Sequence, residues 1–166
     1  MKRLLFSVLI FSSFQSYGQD NTLPIKKFQY LNSAQFELGG GGGAFSFNYE
    51  HIILNKLKFK TAAQFGISHL IYESNFSPVL RIEATEIMSF NKHHIEVGLG
   101  VTSYYLKPST GTVGNWYTDI VPRAGYRYQK PNGRFLFRIG FTPFIDTKES
   151  SNQFQSWGGL SFGYTF

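Results

Sequence analysis

The chain has 166 residues, enough for one domain, with 16 basic against 10 acidic side chains, a formal net charge of +6 and no cysteine. Without cysteine there is neither a disulfide framework nor a thiolate metal site. A mild basic excess with no dense Lys/Arg run makes no case for nucleic acid. Aromatic residues reach 18% while charged residues are only 16%, against about 25% in ordinary globular proteins, so this surface suits an apolar solvent.

The first element is MKRLLFSVLIFSSFQSYGQD. Lys2 and Arg3 precede a short apolar run from Leu4 to Phe14, and the small residues Ser16 and Gly18 sit at −3 and −1 of a cut before Gln19. This predicts a secretory signal peptide over 1–18 and a mature domain over 19–166. The run is too short for a transmembrane helix, and no lipid-anchoring cysteine follows it. No later segment sustains a helical period.

The rest reads in twos, the period of strands with two different faces. FQYLNSAQFEL, 28–38, puts Phe28, Tyr30, Ala34, Phe36 and Leu38 on one face. Five glycines, Gly39–Gly43, follow, and AFSFNYEHI, 44–52, carries Phe45, Phe47 and Tyr49 at odd positions. One uninterrupted strand cannot turn both sets the same way, because side-chain direction alternates strictly. Two readings stay open: a hairpin turn using glycine at positive φ, or a bulge in one long strand. A phosphate loop is excluded, since neither a following helix nor a Lys-Ser/Thr ending is present.

Further strands are expected near 57–71, 78–90, 93–105, 117–129, 134–144 and 155–166. The spacers 54–56, 91–92 and 130–133 are short. Those at 74–77, 107–115 and 146–153 are mostly longer and polar, and this sorting by length is the layout of transmembrane barrels. In strand 78–90 the alternation puts Glu86 beside Leu80, Ile82 and Ala84 on the apolar face. Either a bulge near Thr85 or a place near the interface would relieve it.

Alternation alone does not say which face is inside; a lipocalin-like binding barrel would turn its apolar face inward. Three features favour apolar-out. The polar face carries charges of both signs, interleaved with glycine: Lys58, Lys60, Arg81, Glu83, Glu96, Asp119, Arg123, Arg127 and Arg138. Aromatics cluster at strand ends, Tyr104 with Tyr105, Trp116 with Tyr117, and Tyr128, as interfacial girdles do. The chain ends with Phe162, Tyr164 and Phe166 on one face. The expected fold is therefore all-β: a closed antiparallel up-and-down transmembrane β-barrel. An even strand number requires eight.

SFGYTF at the end resembles the C-terminal assembly signal of Gram-negative outer-membrane proteins. Ser161 stands where the fuller pattern has glycine. In length and loop layout the mature chain is similar to the small barrels of the OmpA/OmpX type. The resemblance implies an outer-membrane location and, as partners, outer-membrane lipid and, during assembly, periplasmic chaperones and the barrel-insertion machinery.

An eight-stranded barrel is just wide enough to be filled by side chains, so the nine inner charges are expected to form a paired network that plugs a monomer. Three other readings remain: a narrow anion-preferring path past Arg123, Arg127 and Arg138, a lipid A-modifying enzyme, or a role for the loops 107–115 and 146–153. For the enzyme, a serine and its base must share a face. Ser68 and His69 are adjacent and do not. His51, His93 and His94 fall near the short turns, and His69 could approach only Asp119. No catalytic, cofactor or metal site is expected.

Overall fold

Strands with one polar and one apolar face need two solvents, and their backbone groups stay satisfied only if the sheet has no edge. The computed structural model describes residues 25–72, 75–107, 113–147 and 154–166. The signal peptide expected at 1–18 lies outside the described residues, as do 108–112 and 148–153 of the two long loops.

The ladder segments are β1 (Asn32–Gly39), β2 (Phe45–Asn55), β3 (Phe59–Tyr72), β4 (Asn75–Phe90), β5 (His93–Leu106), β6 (Asn115–Gln129), β7 (Phe135–Phe141), β8 (Phe144–Asp146), β9 (Phe154–Gln155) and β10 (Gly158–Thr165). β7 and β8 form one stave, broken where Pro143 has no N–H to give the ladder. β9 and β10 form another, and Thr142 N–H donates to Trp157 O (2.9 Å) across the two breaks. Neighbours in sequence pair antiparallel, β5 pairs with β6, and β1 pairs with β10 from Ser33↔Thr165 to Gly39↔Gly159. The result is the closed eight-stranded antiparallel barrel expected from the sequence. Asn32 and Phe166 exchange both backbone hydrogen bonds at the seam.

The faces are inside out relative to a soluble protein. Ile82, Val97 and Leu99 are each 61% exposed on the outer wall, while Glu37, Lys60, Glu96 and Arg138 are fully buried within. The lipocalin-like alternative is thereby overturned. Both described chain ends and the short turns lie at one end of the barrel, the turn end. The glycine turn lies at the other, the loop end, with the strand ends at Leu106, Asn115, Asp146 and Phe154.

The glycine run is a hairpin, not a bulge. Leu38 pairs with Phe45, and Gly39 N–H donates to Ala44 O (2.7 Å). Gly39, Gly40 and Gly43 take φ of 68°, 75° and 93°, a region open to glycine and strained for other residues. The central turn Gly40–Gly42 is buried; it folds inward over the lumen and is held there by Thr102 Oγ1, which donates to Gly41 O (2.6 Å).

Two expectations need correcting, and the alternative left open at Glu86 is decided. β1 begins at Asn32, so Phe28 does not face lipid: it is 3% exposed and plugs the turn end beside Ile52, Ala62 and Ile87. Its backbone N–H and C=O are held by the Asn55 amide. Next, β4 carries no bulge at Thr85, since its registers with β3 and β5 run unbroken. Glu86 does stand on the outer face, four positions from the strand end at Phe90, and Thr61 Oγ1 donates to it (2.7 Å). The irregularity lies between Ile52 and Leu54 of β2. Finally, Tyr104 and Tyr117 pair with each other on the inward face near the mouth, leaving Tyr105 and Trp116 as the outward girdle pair.

With no native cysteine, the seam can be tested directly. Leu38→Cys with Leu160→Cys should crosslink on oxidation, because these residues are cross-strand partners. Leu38→Cys with Phe162→Cys should not, and the reverse pattern on a non-reducing gel would show a different register.

Candidate functional site

Closing eight alternating strands brings every inward side chain to one axis. Four arginines and four glutamates meet there: Arg81 from β4, Arg123 and Arg127 from β6, Arg138 from β7, and Glu37, Glu50, Glu83 and Glu96 from β1, β2, β4 and β5. All eight are at most 2% exposed. Isolated, each charge would be very costly to bury, so the geometry of pairing decides whether the barrel is stable.

Two clusters share one hub. Toward the loop end, Arg81 bonds Glu37 (2.6 Å) and Glu83, and Arg123 bonds Glu37 and Glu83. Toward the turn end, Arg127 grips Glu50 with both terminal nitrogens (2.7 and 3.0 Å) and reaches Glu96 (3.1 Å). Arg138 joins the clusters. Its Nε donates to Glu96 (2.8 Å), and its terminal nitrogens lie 3.4 Å from Glu83 and 3.6 Å from Glu50. It also donates to the side-chain oxygens of Gln35 (3.1 Å) and Gln64 (2.7 Å). Ser46 and Ser161 donate to Glu37, Ser33 to Glu50 and Thr85 to Glu83, occupying the remaining lone pairs. Glycine makes room: a Cβ on Gly41 would stand 2.6 Å from the Arg81 guanidinium.

Of the residues singled out from the sequence, the barrel brings Arg81, Glu83, Glu96, Arg123, Arg127 and Arg138 together. Lys58 is not among them. β3 starts only at Phe59, so Lys58 sits on the preceding turn and is exposed. Lys60 is inside but meets no carboxylate; it donates to Leu57 O (2.8 Å) and Ser89 Oγ (2.7 Å) under the Phe28 ring, 4.7 Å from its centroid. Asp119 lies nearer the mouth, hydrogen-bonded to Tyr104. Phe162, Tyr164 and Phe166 are exposed along the outer face of the last stave. Glu37 and Glu50 were missed, although their signal was present: the parity that turns Phe36, Leu38, Phe47 and Tyr49 outward turns both acids inward.

The fold also makes a serine–histidine pair five positions apart. Ser89 and His94 face each other across the Asn91–Lys92 turn, with Oγ and Nδ1 3.0 Å apart. His94 Nε2 lies 2.9 Å from Gln129 O, which assigns the proton to Nε2 and makes Ser89 the donor to Nδ1. Ser89 and His94 are 0% and 1% exposed, and the Phe28 ring packs edge-on against His94 (5.1 Å). A hydroxyl enclosed in this way meets no substrate. His51 and His93 are exposed, bonded to Asn32 (2.8 Å) and Tyr126 (2.6 Å), and His69 packs edge-on to Phe45.

No protein-family model matches the chain, and no curated protein matches it significantly in sequence. Solved structures do match in shape. The N-terminal β-barrel domain of Pseudomonas aeruginosa OprF has a TM-score of 0.60 at 12% identity, covering 85% of this chain and 100% of that one. The Yersinia pestis outer-membrane protein Ail, in a phospholipid bilayer nanodisc, has a TM-score of 0.52 at 13% identity, covering 83% of this chain and 100% of that one. At these identities the likeness is one of fold: this chain has the architecture of the small outer-membrane barrels.

Glu96→Gln withdraws a carboxylate from Arg127 and Arg138 together. It should lower folding stability by about 3–5 kcal/mol, the cost of breaking a buried pair, read as a lower urea midpoint for the heat-modifiable gel band. Gly41→Val should reduce the folded fraction because its side chain displaces Arg81. Glu86→Gln, on the outer wall, should leave the midpoint unchanged or raise it.

Proposed function

We propose that this protein is a monomeric outer-membrane barrel of Gram-negative type whose lumen is a structural plug and whose activity lies at its loop end and outer wall. The observation that carries the reading is the lattice just described. Four guanidinium groups face four carboxylates across the full width of the lumen, and a plug of that kind supports the wall without offering a path. The outer apolar belt supports residence in lipid, since a wall carrying Ile82, Val97 and Leu99 would aggregate in water.

The anion-preferring path loses its basis in the same geometry. Arg123, Arg127 and Arg138 each contact glutamate, so no unbalanced basic lining is left to select anions. The lipid A-modifying reading finds no accessible serine–histidine pair among the described residues. In this proposal the segment 1–18 directs export, the exposed Phe162, Tyr164 and Phe166 are read by the insertion machinery, periplasmic chaperones carry the chain to it, and the short turns face the periplasm.

Reconstituted in planar bilayers, the purified barrel should give no steady conductance, and liposomes carrying it should not swell in sugar solutions. Stable open channels, or swelling with solutes the size of a disaccharide, would overturn the plugged-barrel reading.

A further inference from the structure

Above the glycine turn the barrel mouth holds a cup of about 400 Å³, bordered by none of the lattice's arginines or glutamates. Gly42–Ala44 form its floor, the rings of Tyr104, Phe144 and Trp157 contribute its walls, and Asp119 is the carboxylate in its lining. Asp119 accepts a hydrogen bond from Tyr104, so a carboxylate and an aromatic ring meet on one wall of the cup.

Aromatic faces beside a carboxylate are the chemistry that holds an organic ammonium, through the ring quadrupole and the opposite charge together. The volume lies within the range of about 300–1,000 Å³ typical of small-ligand pockets. The largely apolar lining suits a carbon body better than a hydrated metal ion, which needs several oxygen ligands. We propose that the mouth cup binds a small organic cation, a primary or quaternary ammonium on an apolar body. Its charge sits beside Asp119 and its body against Tyr104, Phe144 and Trp157. The site is independent of whether the lumen conducts.

The chain has two tryptophans, so a Trp116→Phe background leaves Trp157 as the reporter. The full barrel, folded in maltoside micelles to avoid choline-headed detergents, is titrated with benzyltrimethylammonium and, separately, with neutral benzyl alcohol. The expected result is a saturable change in Trp157 fluorescence, with the cation bound at least about tenfold more tightly than the alcohol. Asp119→Asn should weaken the cation about tenfold with the heat-modifiable band retained, leaving the alcohol unaffected. Phe144→Leu, which removes a ring from the wall of the cup, serves as the second variant should the first fold poorly, and should likewise weaken the cation. An absent or non-saturable response, equal affinity for cation and alcohol, or unchanged cation affinity in the folded variants would overturn the proposal.

Discussion

The constraint on which the structure depends is that Arg138 must find its carboxylates. It is fully buried and spans two otherwise separate clusters, reaching Glu96, Glu83 and Glu50 from a single position on β7. Its partners come from three other strands, so the contacts exist only when the ring is closed and every register is correct. A slip of one residue on any of these strands would turn its acid into lipid and an apolar residue into the lattice. The lattice therefore acts as a specification of register as well as a filling for the lumen. The favourable term elsewhere is the burial of the outer apolar belt in lipid, which by itself tolerates many arrangements.

The two ends of the plug are closed by different means. At the loop end the backbone does the work: Gly40–Gly42 turn inward, and Thr102 and the absence of side chains at these positions let the chain lie against Arg81. At the turn end a side chain does it. Phe28 covers Lys60, Arg127 and His94, while Asn55 holds its backbone in place. Beneath that ring Lys60, Ser89, His94 and Gln129 form a continuous chain of hydrogen bonds, which satisfies polar groups that a dry apolar stopper alone would strand.

Much of this was legible from periodicity. The staves and the residues that share a face on each follow from alternation, and the parity change across Gly39–Gly43 requires a break in the chain there. Six of the nine charges singled out do meet in the lattice. Two misreadings share a physical cause: alternation locates a face but not the point at which a strand begins. Lys58 and Phe28 each lie just outside a strand, where side-chain direction no longer alternates, so one projects off the barrel end and the other turns in. At Tyr104 and Tyr117 the cause is different: their aromatic type suggests a girdle, whereas their parity puts them on the inner face.

By itself the sequence determined the barrel class and which residues of each stave share a face, because a period of two is a local property of the backbone and survives in any register. Only the tertiary structure decided which face is inside, that the glycine run is a hairpin completing eight staves, which charge meets which, and that Glu37 and Glu50 answer the arginines. It also showed that the glycine turn folds into the lumen rather than away from it. Pairing across a closed ring depends on the relative height of strands far apart in sequence, such as those of Glu37 and Ser161, 124 positions apart. That height is set by the whole sheet at once and is written in no single segment.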